Sequence, residues 1–425
     1  MGEACEAPCH SRGATRVLHR RVRFELSEEL RSVRRWTAVA REPYLLGRYG
    51  EELRLTTFSE VIDSKQQTES SARQWRVNPF LHVEPESFYN PLTHRTLTAA
   101  ERDFLLVDSV AKGSSISAAD AERLALAGWV GRGEEIARGT GFYLRIVSLE
   151  TTTVCNQKCY FCPVSVDPRD AYEMPDALFT RIVGELAPYR ETLEAVFLQS
   201  YNEPTLDRRF VEQVRELHAA GFPVAVLSNA TGLTPARVDG LLRVGQLRLL
   251  TINLSTLDRE KYIRDRGEDH LPAVLRNLEY LKSRPVAAEM KIAVLGTGDE
   301  NHRQAFEAIR DRFAGSHFRV EQHEVMDRAG WLEIGARPAV PNHRLAGCDN
   351  VGSRPLQHLH ITPHGKCVLC CEDYDENYVV GDLGKSSVAG VLAGPQLAQM
   401  RRWVYGLEEA PADFICRGCV FARTR

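Results

Sequence analysis

Between residues 141 and 325 the chain alternates two patterns, and that alternation limits its fold more than any other feature. Apolar runs occur at YLRIVSLE, EAVFLQS, PVAVLSN, LRLLTINLS, EMKIAVLG and FRVEQHEV. Amphipathic stretches separate them, such as DALFTRIVGELAPYR and RRFVEQVRELHAAGF. Strands of this buried type, separated by helix-length segments, pair in parallel, because a parallel crossover needs the length of a helix. Six such units predict an α/β fold: a parallel sheet curled into a partial (β/α)6, TIM-like barrel over 141–325. In barrels of this kind the chemistry gathers at the C-terminal ends of the strands.

The loop after the first of these strands reads CNQKCYFC, with thiols at Cys155, Cys159 and Cys162. The chain holds eleven cysteines, and MGEACEAPCHSRGATR at its start has no apolar signal core. A cytoplasmic, reducing setting is therefore expected, where clustered cysteines serve metals or catalysis rather than disulfides. Three thiolates on one loop do not complete a structural zinc site, which takes four ligands. They do suit an iron–sulfur cluster with one iron left open for a substrate or cofactor.

A cysteine loop with gaps of three and two, an aromatic before the last thiol and a six-unit β/α region behind it resembles the radical S-adenosylmethionine (radical SAM) superfamily. The resemblance implies that Cys155, Cys159 and Cys162 hold a [4Fe–4S] cluster whose open iron chelates S-adenosylmethionine. It implies that Phe161 packs near the adenine. One-electron reduction would then yield a 5′-deoxyadenosyl radical that abstracts a substrate hydrogen, with an external reductant such as flavodoxin or ferredoxin. In QSYNEP, Glu203 and Pro204 match the family's Gly-Gly-Glu-Pro type motif for the methionine amino group, while Tyr201 and Asn202 replace the glycines. Asn202 and Glu203 are carried over, as are Ser228 and Asn229 of SNATG for the ribose hydroxyls, and Ser255 of NLSTLD. For each polar residue the competing reading is a turn former or helix cap, and Asp258 shares it. The glycines of VLGTGDEN could approach adenine through their backbone.

Six further cysteines lie at Cys348, Cys367, Cys370, Cys371, Cys416 and Cys419. Two thiolate pairs would also suit zinc, and pairing alone does not decide the metal. The isolated Cys348, the turn at Gly365, Cys370 five residues on, a Gly-Asp turn and the final Cys416-x-x-Cys419 resemble the SPASM/twitch extension of radical SAM enzymes. That resemblance implies one auxiliary [4Fe–4S] cluster on Cys348, Cys370, Cys416 and Cys419, in a cysteine-rich domain over 326–425. Cys371 and Cys367 remain as candidate hydrogen donors, and either could replace Cys370 as ligand.

The rest of the chain is less specific. Residues 1–20 read as a flexible tail, with Cys5 and Cys9 too few to complete a metal site. Residues 21–140 form a first region. Within it, SFYNPLTHRTLT predicts two strands around a turn at Asn90-Pro91. Two helices follow, one capped by Thr98 with Glu101 three residues on, the other capped by Ser117 and stopped at Gly128. The set suggests a small winged-helix-like module, for peptide recognition or as a packing cap on the barrel. Net charge is −3, so a nucleic-acid partner is not expected, and the arginines near Arg31 read as a solvated face. No run of about 18 apolar residues occurs, so no membrane partner is expected.

Three functions compete. The first is maturation of a ribosomally made peptide by cross-linking or epimerisation. The second is oxidation or epimerisation of an aminosugar, an aminocyclitol or a similar small natural-product intermediate. The third is a binding protein with structural clusters, against which the set Cys155, Cys159, Cys162 and Glu203 speaks.

Overall fold

The computed structural model describes residues 75–424 apart from 336, 337, 339, 340, 342 and 343. The tail, Cys5, Cys9, the arginines near Arg31 and the first half of the 21–140 region lie outside the described residues.

The N-terminal module begins with β1 (Trp75–Val77), which pairs antiparallel with β5 (Val130–Arg132). Between them run a meander of β2 (His82–Glu84), β3 (Ser87–Asn90) and β4 (Arg95–Thr98), then α1 (Arg102–Ala111) and α2 (Ala118–Leu126). A short helix, α3 (Gly133–Ala137), follows β5. Phe88, Leu97, Phe104, Val107, Leu124 and Trp129 give the module a core of its own. Ser117 caps α2 by accepting the Asp120 N–H, and Gly128, at φ +81°, supplies the left-handed stop. Thr98 does not cap α1. It is held as the last residue of β4 opposite Ser87, and Glu101 is the N-cap. The Glu101 carboxylate reaches back to the Thr98 N–H at 2.7 Å, which is the return half of a capping box.

Six strands run in parallel and in chain order: β6 (Ile146–Leu149), β7 (Ala195–Phe197), β8 (Val224–Ser228), β9 (Leu247–Asn253), β10 (Ala287–Gly296) and β11 (Phe318–Glu324). Each expected apolar run coincides with one of them, β10 beginning two residues before its run. The crossovers carry α4 (Asp176–Glu185), α5 (Phe210–Ala219), α6 (Pro235–Val244), α7 (Arg259–Arg266), α8 (Leu271–Leu281) and α9 (Glu300–Arg312). Strand side chains alternate in direction. Val147, Leu149, Val196, Val226, Ile252 and Val294 share the main apolar core with helix residues such as Phe179, Val214, Leu241 and Leu278. The intervening positions Ser148, Thr251 and Lys291 take the opposite, inner face.

The C-terminal region joins this sheet. After β12 (Leu345–Cys348) and a single helical turn, α10 (Arg354–Gln357), β13 (His358–Ile361) adds in parallel beside β6. The strands β14 (Lys366–Val368) and β15 (Val379–Asp382) continue it antiparallel. Then come α11 (Val388–Leu392), α12 (Pro395–Val404) and β16 (Ala422–Thr424), which pairs back onto β12. Among the described residues no helix is long and apolar enough to cross a membrane.

Candidate active site

The loop carrying Cys155, Cys159 and Cys162 leaves the C-terminal end of β6 and rests on the last turn of α7. Helix ends leave carbonyls without intrahelical partners. Here the Lys158 N–H donates to the Arg266 carbonyl at 2.8 Å and the Tyr160 N–H to the Asp265 carbonyl at 3.1 Å. Gly267 ends the helix at φ +74°, and a Cβ there would lie 2.9 Å from the Lys158 Cβ. Glycine is therefore needed for both conformation and approach.

Arg266 is 2% exposed and holds the loop by its side chain. Its guanidinium donates to Asn253 Oδ1 at 2.8 Å and Ser255 Oγ at 3.0 Å on the β9 side. On the loop side it reaches Gln157 Oε1 at 3.4 Å and the Cys159 sulfur at 3.5 Å, and it lies 5.0 Å over the Phe161 ring. Asn156 ties the loop to the end of β8: its carbonyl accepts from Asn229 Nδ2 at 2.9 Å and its amide donates to Thr231 at 3.1 Å. Asn156, Gln157 and Arg266 were not singled out from sequence. The signal was available for the first two, which sit inside the cysteine motif. Arg266 is 107 residues from Cys159, and only the fold brings it there.

Burial pushes the Cys155 thiol up to about 12 and the Cys162 thiol to about 11, with the neighbouring thiols adding to the effect. Free of metal, both stay protonated at neutral pH, so iron binding must displace their protons. Phe161 packs with Cys159, Leu295 and Val325. Glu203 is buried between the β7 and β8 ends. It accepts from Ser228 Oγ at 2.7 Å and the Asn229 N–H at 2.6 Å, and from both the amide and hydroxyl of Thr205. Burial raises its carboxyl from the ordinary range against those bonds. Asn202 closes its own turn, accepting from the Ser200 N–H at 3.0 Å. Ser255 receives Arg266 and the Leu295 N–H at 3.2 Å, while Asp258 caps α7 through the Lys261 N–H. These polar residues thus bind strand ends together around the loop.

Cys348, Cys370, Cys416 and Cys419 all line one hollow. Gly347, Asn350, Leu369, Glu372 and Ile415 complete the wall. Among the described residues no three His, Cys, Asp or Glu side chains converge as they would around a single metal ion. Four thiols around one hollow are the ligand number of a four-iron cluster and equally of a zinc ion. Cys371 turns away from the hollow, and its sulfur accepts from Arg354 Nη1 at 2.8 Å. Cys367 is fully buried in the main core between β13 and β15. There it can neither reach a substrate nor take the place of Cys370.

Tyr201, where the family pattern has glycine, spans the two thiol groups. Its ring lies in an apolar cluster with Val164 and Tyr374, against which Cys155 and Cys162 pack, and its hydroxyl donates to the Cys371 carbonyl. The N-terminal meander docks on the same C-terminal region. Arg423 of β16 bridges Glu84 of β2 at 2.8 Å and Asp349, the neighbour of Cys348, at 2.7 Å. His82 lies 3.2 Å from the Tyr405 hydroxyl, which is 2.8 Å from Ser353.

Comparison with known proteins follows the same division. Residues 149–311 match the model of the Radical SAM superfamily, and residues 348–420 match SPASM, the iron–sulfur cluster-binding domain. A curated relative from Pyrococcus furiosus, a tungsten-containing aldehyde ferredoxin oxidoreductase cofactor-modifying protein, is 28% identical over 102 residues. That match covers 24% of this chain and only 28% of the relative's own length. The GTP 3′,8-cyclase of Stenotrophomonas maltophilia is 27% identical over 276 residues, 56% of this chain and 82% of the relative. Among solved structures, Streptococcus suis SuiB bound to precursor peptide SuiA superposes with a TM-score of 0.52 at 12% identity. It covers 81% of this chain and 93% of that one, a likeness of fold.

Proposed function

Because the chain belongs to the radical SAM superfamily and carries a C-terminal SPASM domain, we propose that this radical SAM enzyme oxidatively modifies a ribosomally made peptide. The observation that carries this reading is the N-terminal module, whose meander is clamped through Arg423 and Tyr405 to the segment bearing Cys348. A separate module with its own core, fixed beside the second thiol group, suits a substrate held at a distance from the reacting atom. The SuiB structure bound to its precursor peptide supports it, since it matches more of the chain than residues 141–425 alone could supply.

Cys155, Cys159 and Cys162 would hold a [4Fe–4S] cluster, and Cys348, Cys370, Cys416 and Cys419 a single auxiliary one. With S-adenosylmethionine beside it, a cluster on Cys155, Cys159 and Cys162 would supply one-electron reductive chemistry for hydrogen abstraction, and one on Cys348, Cys370, Cys416 and Cys419 would offer a place for the substrate's electron. Arg266 and Asn156 fix the cysteine loop against β8 and β9. Glu203 fixes Ser228 and Asn229 at the β8 end. Phe161 and Tyr201 exclude water on the two sides of the loop. A flavodoxin or ferredoxin would provide the electron.

The test is to incubate anaerobically reconstituted protein with S-adenosylmethionine, reductant and a short peptide encoded beside its gene. The expected result is 5′-deoxyadenosine together with a peptide lighter by two hydrogen atoms. Turnover of an aminocyclitol or nucleotide, with every such peptide unchanged, would replace this reading by the small-molecule one.

A further inference from the structure

We propose that Arg354 is the charge partner of the auxiliary centre and sets how readily that centre accepts an electron. The proposal rests on reading the C-terminal thiols as a [4Fe–4S] site. Arg354 opens α10, six residues after Cys348. Its backbone amide and that of Asn350 favour the charged form of the Cys348 thiol against the burial that raises it. Its guanidinium donates to the Cys371 sulfur at 2.8 Å, and Cys370, Cys371, Cys348 and Glu372 all act on it electrostatically. One arginine therefore lies between the segment that carries Cys348 and the residue next to Cys370, just behind the wall of the hollow.

Arg354 has no carboxylate partner among the described residues and, unlike Arg401 beside it, no set of backbone carbonyls in its place. Three other nearby arginines have a carboxylate: Arg328 has Glu372 at 3.5 Å, Arg169 has Glu150, and Arg423 has Asp349 and Glu84. Among the described residues no carboxylate pairs with Arg354. Its other neighbour is His360 Nε2 at 3.5 Å, an imidazole that burial keeps neutral, and its own Nε is buried without a partner. A half-buried guanidinium without a counter-ion is costly. Four thiolates around a [4Fe–4S] core carry net negative charge, and they supply the counter-ion the protein itself withholds. Each electron accepted adds another negative charge. A cation held beside the residue next to Cys370 then favours the reduced form.

The test uses the full chain with Cys155, Cys159 and Cys162 all changed to Ala, so that one centre remains. Its midpoint potential is read by spectroscopically monitored reductive titration in that parent, in Arg354→Met and in Arg354→Lys. The expected result for Arg354→Met is roughly a tenfold lower reduced-to-oxidised ratio at fixed potential, a shift of about 59 mV downward for one electron. Arg354→Lys, which keeps the charge, should stay near the parent. Loss of iron in Arg354→Met with retention in Arg354→Lys supports the proposal equally, since charge is what separates them. Equal potentials in all three proteins, or equal loss of iron from both variants, overturns it. A parent without a four-iron signal would instead show that the underlying cluster assignment has failed.

Discussion

The two thiol groups are built in opposite ways. The first takes Cys155, Cys159 and Cys162 from one eight-residue loop, so the spacing of its ligands is largely covalent. The second takes Cys348, Cys370, Cys416 and Cys419 from separate elements and meets in one hollow only after the C-terminal region has folded. A local group needs the fold to aim it, which is the work of α7, Arg266 and Asn156. A distributed group needs the fold to exist at all, so its metal affinity is part of the folding free energy of that region. Loss of metal should therefore disarm the first site and loosen the second.

The sharpest way to break this comparison is to remove one group at a time. Changing Cys155, Cys159 and Cys162 to Ala should abolish 5′-deoxyadenosine production and lower the iron content from about eight to about four per chain. The thermal midpoint should barely move. Changing Cys416 and Cys419 to Ala should also remove about four irons. In that variant, however, protease should cleave within 345–424 and the thermal midpoint should fall. Similar melting of both variants would mean the second hollow is preformed. Next in size is Arg266→Met. It strips Asn253, Ser255, Gln157 and Cys159 of a shared buried donor and should cost about 3 kcal/mol in chemical denaturation. Iron at the C-terminal group should be unaffected, and iron loss from both groups would show that they are not independently held.

A smaller effect concerns the module clamped to the second group. Burial lowers His82 to about 3, with the Arg423 charge assisting, so its folded-state value lies below its unfolded one of about 6.5. The stability it contributes is complete above about pH 6.5 and is lost as pH falls toward about 3, amounting to about 2 kcal/mol at about pH 5. Hydrogen exchange between 80 and 90 should therefore quicken below about pH 6, and His82→Gln should flatten that dependence. A profile that His82→Gln leaves unchanged would place the acid sensitivity elsewhere in the clamp.

Much of this was readable in the chain, for reasons that mirror the same contrast. Strand position depends on local composition, and each of the six apolar runs marks its strand, β10 to within two residues. Cys155, Cys159 and Cys162 announce themselves by spacing, and the four thiols of the second group could be matched to a family pattern. Arg266 could not be found this way, because it is one arginine among many until α7 folds back onto the loop. Arg354 is hidden for the same reason. Cys367 shows the converse error. Its nearness to Cys370 in sequence suggests a shared site, yet strand alternation turns it into the core while Cys370 faces the hollow. The parallel pairing of β13 with β6 joins residues more than two hundred positions apart, and no local pattern encodes it.

That pairing also determines how the protein can be cut. The strand that delivers the chain into the first cysteine loop, β6, is flanked on one side by β7 and on the other by β13. A version truncated before residue 345 would leave a row of unpaired amide and carbonyl groups along β6. Such an open edge invites chain-to-chain association. The barrel is therefore not a detachable catalytic unit. Shortened or domain-swapped derivatives should aggregate unless they retain at least the segment through β15, or carry a substitute strand along that edge.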